Sequence, residues 1–167
     1  MKIKKIISVI LLLFFGGFIT ETSAQENTDN DYLTGSVSLQ ELETDTLFSD
    51  IFAHEFKNYQ VNHTKKISDL LNNINIKIVL GTWCHDSQIQ VPRFLKVVSE
   101  AGYDLNRIEI LAVNRNKELP GQQHKALNIK RVPTFIFTNG NGDGTEIGRI
   151  IESPEKTLES DLIDLLQ

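Results

Sequence analysis

The sequence predicts an α/β fold: a mixed four-stranded sheet with helices on both of its faces. Two runs rich in Ile, Val and Leu, "INIKIVLG" at 74–81 and "IEILAVN" at 108–114, read as buried strands, with a helical period between them. "TFIFT" (134–138) and "EIGRII" (146–151) flank the turn residues "NGNGDG" and form a hairpin ahead of a final helix. Strands alternating with helices and ending in a hairpin require both parallel and antiparallel pairing, and helices to cover the sheet.

From the N-terminus, Lys2, Lys4 and Lys5 precede an apolar run from Ile6 to Ile19, and Thr22-Ser23-Ala24 supplies the small residues of a cleavage site. Residues 1–24 therefore read as a signal peptide, and the protein as periplasmic or secreted. The run of 14 residues is shorter than the roughly 20 of a spanning helix, so no stable membrane insertion is expected after cleavage; a retained anchor is the alternative. Cleavage leaves 143 residues with 14 basic and 21 acidic side chains, about −7 in net charge. That balance argues against nucleic acid and anionic membrane surfaces as partners, since both need clustered positive charge.

Gln25 to Ser36, polar and aperiodic, reads as a flexible linker (25–36) before a single domain at 37–167. Phe48, Ile51, Phe52, Phe56 and Tyr59 recur at helical steps and predict a helix over 46–60, followed by a short one over 65–72. Beyond the first strand, Val91, Phe94, Leu95, Val98 and Ala101 share one face of a helix over 84–101, which Gly102 ends and Pro92 is expected to kink. A short helix at 122–128 precedes the hairpin, and Ser153-Pro154 is expected to cap the last helix, which carries Leu158, Leu162, Leu165 and Leu166.

Cys84 is the chain's only cysteine, so internal disulfides cannot hold the fold, and an unpaired thiol in an exported protein points to reactivity. It lies where a strand gives way to a helix, where unpaired backbone N–H groups and the positive dipole end favour thiolate. His85 would assist when protonated, and Asp86 would oppose while capping the helix. Lys130 and Arg131 either add positive field or are solvated surface charges. Three adjacent residues, Cys84-His85-Asp86, cannot converge on one ion, and His54, His63 and His124 lack ligand spacing, so no metal site is expected. "NGNGDG" begins like a calcium loop, but its twelfth position is Ile150, and a hairpin turn explains it better. No cofactor is called for.

"VLGTWC" running into a helix, Pro92 eight residues after the cysteine, and "HKALNIKRVPTFIF" ahead of a terminal hairpin and helix resemble the thioredoxin superfamily over about residues 62–167. The motif resembles that of exported members with a monothiol W-C-x-D-S sequence. The resemblance implies a thioredoxin-like fold with an N-terminal helical extension, and a cis Val132-Pro133 junction beside the cysteine whose backbone pairs with an extended substrate. It also implies Cys84, Ser87 and Pro133 as catalytic positions, with Trp83, Val132 and His85 as substrate contacts; Trp83 suits packing as well.

Two departures from the family restrict the chemistry. Ser87 occupies the resolving position, where a hydroxyl can donate to a thiolate but cannot attack a mixed disulfide. Ile78 stands where thioredoxin carries a buried acid. A dithiol reductase is disfavoured on both counts. The expected function is thiol–disulfide exchange in the cell envelope through one nucleophile, completed by the substrate's second thiol or by an external one, or else sulfenic acid formation and partner reduction. The expected partners are disulfide-containing or extended polypeptides and an external thiol or reductase. The alternative is a non-catalytic binding or chaperone-like module holding extended polypeptide near Pro133.

Overall fold

The computed structural model describes residues 31–167; the signal peptide read at 1–24 lies outside the described residues. Strands β2 (Ile74–Leu80) and β3 (Glu109–Ala112) pair in parallel, with Ile78 opposite Ile110. Parallel pairing demands a crossover, and helix α4 (His85–Glu100) provides it. On the other side of β2, strand β4 (Thr134–Asn139) runs antiparallel, and β5 (Glu146–Ile151) closes the hairpin. The expected fold class is present, with one strand more than the four expected. A two-residue strand β1 (Gly35–Ser36) pairs antiparallel with β3, so the order is β1-β3-β2-β4-β5.

Alternation along the strands divides the apolar side chains between two faces. One face buries Ile76, Ile78, Leu80, Phe135 and Phe137 against Phe52, Ile67, Phe94 and Leu162, which come from α2 (Ser49–Asn58), α3 (Thr64–Leu70), α4 and α6 (Leu158–Leu166). Phe94 reaches the Phe135 ring at 4.4 Å between centroids. The opposite face buries Val79, Leu111, Val113, Val132 and Ile136, and here Trp83, Cys84 and Leu127 of α5 (Gln123–Leu127) pack. The cysteine thus belongs to the thinner apolar layer.

Helix α1 (Leu39–Thr44) was not anticipated. It starts at a capping box in which Ser38 Oγ accepts from the Glu41 N–H and the Glu41 carboxylate accepts from the Ser38 N–H. Pro92 lies buried inside α4, which runs on through it to Glu100; Gly102, at φ 84°, follows the helix end. The last helix starts later than expected. Thr157, not Ser153-Pro154, is its N-cap, because the Asp161 carboxylate reaches back to the N–H groups of Glu155 and Lys156 and holds them in a loop. In the hairpin loop, Asn139 and Asp143 accept from the loop's own N–H groups, those of Asn141 and Thr145. Among the described residues, no helix is long and apolar enough to cross a membrane.

Candidate functional site

Strand β2 ends at Leu80, and residues 81–83 turn the chain into α4. The turn closes by a 2.9 Å bond from the Cys84 N–H to the Gly81 carbonyl, leaving Cys84 extended as the N-cap of α4. Two buried side chains fix it from within. Thr82 Oγ1 accepts from the N–H of Leu33 at 3.1 Å, and Ser87 Oγ accepts from the N–H of Gly81 at 3.3 Å. Gln88, one turn into α4, donates through Nε2 to the carbonyls of Thr82 and of Leu47, joining the turn to the loop before α2.

Cys84 is half-buried, and its thiol donates to the carbonyl oxygen of Val132 at 3.4 Å. That bond exists only while the sulfur keeps its proton. The sequence predicts a sulfur facing the helix amides, yet Cys84 makes no side-chain cap. Instead Sγ is turned across the turn towards Val132, since a thiol is a weak acceptor and a carbonyl a strong one. Asp86 does not cap the helix either; it is exposed in the first turn, beside the exposed His85.

The Val132-Pro133 peptide bond is cis. The loop around it is held on both sides. Thr134 Oγ1 donates to the Arg131 carbonyl at 2.7 Å, the Glu152 N–H donates to the Pro133 carbonyl at 2.7 Å, and Arg131 Nη1 meets the Glu152 carboxylate at 2.8 Å. Arg131 is therefore spent on an ion pair, while Lys130 is exposed and makes none among the described residues. The Val132 N–H likewise has no partner among the described residues.

Trp83 is half-buried. Its indole N–H donates to the Val113 carbonyl at 2.9 Å, and its ring lies over Gly81, where a Cβ would come within 2.6 Å of it. The Arg115 guanidinium stands 5.5 Å from the Trp83 ring. Ser87 makes no bond to Cys84 among the described residues: its hydroxyl is turned to Gly81 instead of the sulfur, because the buried Gly81 N–H would otherwise be left without a partner. Ile78 is fully buried in the larger apolar cluster, which leaves no acid to relay a proton from that position.

The structure therefore brings Cys84, Val132 and Pro133 together, places Trp83 and Ser87 as supports of the turn, and leaves His85 in solvent. Sequence reasoning overlooked Thr82, Gln88, Arg115 and Glu152. These contacts reach across 21 residues from Glu152 to Arg131, 32 from Arg115 to Trp83, 41 from Gln88 to Leu47 and 49 from Thr82 to Leu33, and no local pattern carries them.

A sequence model of the family described as Thioredoxin matches residues 51–164. No curated protein matches the chain. Among solved structures, a Pseudomonas aeruginosa protein of unknown function aligns at 16% identity over 70% of this chain and 80% of its own, with a TM-score of 0.44. A chain from work on the thiol-resolving mechanism of the yeast mitochondrial 1-Cys peroxiredoxin aligns at 19% identity over 66% and 98%, with a TM-score of 0.39. Mitochondrial thioredoxin 3 of Saccharomyces cerevisiae, in its oxidised form, aligns at 17% over 66% and 98%, with a TM-score of 0.38. With more than half of its length matched by the family model, the chain belongs to the thioredoxin family and has, in general terms, a thioredoxin-like redox function.

Proposed function

We propose that the protein is an exported thiol–disulfide exchange protein of the cell envelope that acts through Cys84 alone. The observation that carries this reading is the position of the thiol: half-buried at the N-cap of α4 and bonded to the Val132 carbonyl of the cis-proline loop. The Cys84 sulfur, as thiolate, attacks one sulfur of a substrate disulfide. A bond forms between Cys84 and that sulfur, the substrate S–S bond breaks, and the departing thiolate takes up the proton that Cys84 gave up. Ser87 cannot carry out the second attack. The substrate's own second thiol displaces Cys84, which rearranges disulfides without net oxidation, or an external thiol does so.

The experiment is to incubate a scrambled disulfide protein with the wild type and with Cys84→Ser, and to trap mixed disulfides by rapid alkylation in cells. Recovery of the native isomer with wild type alone, and a covalent partner on Cys84, are expected. Equal recovery with both proteins and no trapped partner would end the proposal. Fractionation of cells tests export: the protein belongs in the envelope or medium fraction.

The Val132 N–H, which has no partner among the described residues, favours a second reading, in which the same loop holds an extended polypeptide without chemistry. Under it, Cys84→Ala keeps its affinity for the polypeptide.

A further inference from the structure

The support around Trp83 contains a cation that makes no hydrogen bond among the described residues. Arg115 follows Val113, the residue whose carbonyl holds the Trp83 indole, by two positions. Its guanidinium lies near two rings, 5.5 Å from the Trp83 centroid and 5.8 Å from that of Tyr32. The loop that carries it is tied down: Asn114 Oδ1 accepts from the N–H groups of Asn116 and Glu118 at 2.9 Å each, and the Lys117 N–H returns to the Asn114 carbonyl at 2.8 Å. The backbone that carries Arg115 is thereby restrained.

The edge of the guanidinium is not engaged. Arg93, Arg131 and Arg149 are paired with Glu55, Glu152 and Glu146, whereas Arg115 is exposed and makes no ion pair or hydrogen bond among the described residues. Aromatic stacking leaves all the in-plane N–H donors of an arginine available, in the fork geometry that matches a carboxylate. The chain as a whole carries −5, so its overall field does not gather anions. Asp86, exposed in the first turn of α4, repels them. A guanidinium beside the residue next to Cys84 is therefore one local source of attraction, with the exposed Lys130 before the cis-proline loop another.

We propose that Arg115 determines specificity at the Cys84 site, and that the preferred disulfide carries a carboxylate close to the sulfur that Cys84 attacks. This inference rests on the exchange reading above. In the step, the Cys84 thiolate forms a bond to the acid-bearing sulfur, the other sulfur leaves as thiolate and takes the proton, and the carboxylate sits on the guanidinium edge in the mixed disulfide.

The test measures release of the coloured thiol when the full chain reacts with dithiobis(nitrobenzoate), which bears carboxylates, and with dithiodipyridine, which is neutral. For Arg115→Gln the ratio of the anionic to the neutral rate is expected to fall roughly twofold to fivefold at low salt. It should fall further for Arg115→Glu, fall less for Arg115→Lys, which keeps the charge but not the fork, and converge among all variants as salt is raised. A general disturbance of the turn slows both probes and leaves the ratio alone, and that result overturns the proposal. Mixed disulfides of two peptides, one with Glu and one with Gln beside the cysteine, decide whether the acid comes from a polypeptide: an Arg115-dependent preference for Glu selects a polypeptide, and its absence alongside a shifted small-probe ratio selects a small acidic disulfide. If wild-type Cys84 reacts with neither probe, the exchange reading falls and this inference with it.

Discussion

The backbone N–H of Glu152 donates a 2.7 Å hydrogen bond to the carbonyl oxygen of Pro133, and Glu152 makes it from the left-handed region, at φ 60°. Its carboxylate also pairs with Arg131, so one residue at the end of β5 holds both neighbours of Val132. The pair itself is exposed on the Arg131 side and is worth at most about 1 kcal/mol. The backbone conformation matters more. Glu152→Gly is expected to be nearly neutral in urea denaturation, whereas Glu152→Val, a β-branched residue in the same conformation, is expected to lose about 1–3 kcal/mol. Equal losses would show that the side-chain pair, not the conformation, holds the loop.

Glu159, only 2% exposed in the first turn of α6, accepts from the Tyr59 hydroxyl at 3.0 Å and from the Asn62 N–H at 3.1 Å. Burial, and then the bond to the Glu159 carboxylate, push the Tyr59 phenol from its ordinary 10.0 up to about 12. A folded-state value above the unfolded one gives stability that is fully present below about pH 10 and is lost as pH rises through about 12. Denaturation midpoints are therefore expected to hold steady up to about pH 10 and to drop above it. Tyr59→Phe should flatten that drop, leaving the part owed to other groups; an unchanged alkaline profile would show that Tyr59 does not supply it.

What could be read ahead of the structure follows the range of the interactions. β2 was legible because Ile74, Ile76, Ile78, Val79 and Leu80 are β-formers buried from both faces, and Gly102 because a left-handed residue at a helix end strongly favours glycine. β1 was not, because two residues have no period, and Gly35 and Ser36 are strand only through pairing with Ala112 and Leu111. α1 had a signal in Ser38 and Glu41, three apart, but six residues with one buried side chain, Leu42, give too little periodicity to act on. Within the site, Cys84 and Ser87 stood out by their positions in the motif. The direction of their polar atoms did not, since Val132 and Gly81 reach them through the fold.

Ser87 gives a prediction in two parts. Ser87→Ala removes the acceptor of the buried Gly81 N–H and is expected to cost about 1–3 kcal/mol in urea denaturation, with Cys84 still open to alkylation. Ser87→Cys places a second sulfur in the first turn of α4, three residues after Cys84, whose extended N-cap backbone lets the two side chains approach the roughly 3.5–4.5 Å between Cβ atoms that a disulfide needs. Mild oxidation of that variant is expected to abolish free thiol without adding mass from any partner. Retention of two titratable thiols would mean that the turn holds position 87 away from the sulfur.

Gly81 and Trp83 give the last prediction, and the chain's single tryptophan makes it readable without a label. A Cβ on Gly81 would lie 2.6 Å from Trp83 Cε2 and 2.8 Å from Nε1, closer than real contacts allow. The indole cannot yield freely, because its N–H is held by the Val113 carbonyl and its ring by Arg115. Gly81→Ala must therefore either shift the turn that presents Cys84 or push the ring off Val113 and into solvent. Overpacking of this kind costs about 1–3 kcal/mol, and an exposed indole emits further to the red. The expected result is lower stability together with a red shift, and a changed alkylation rate at Cys84, whose N–H bonds to the Gly81 carbonyl. Unchanged emission with unchanged reactivity would mean that Trp83 does not support the turn, and the inference about Arg115, which depends on that ring, would lose its base.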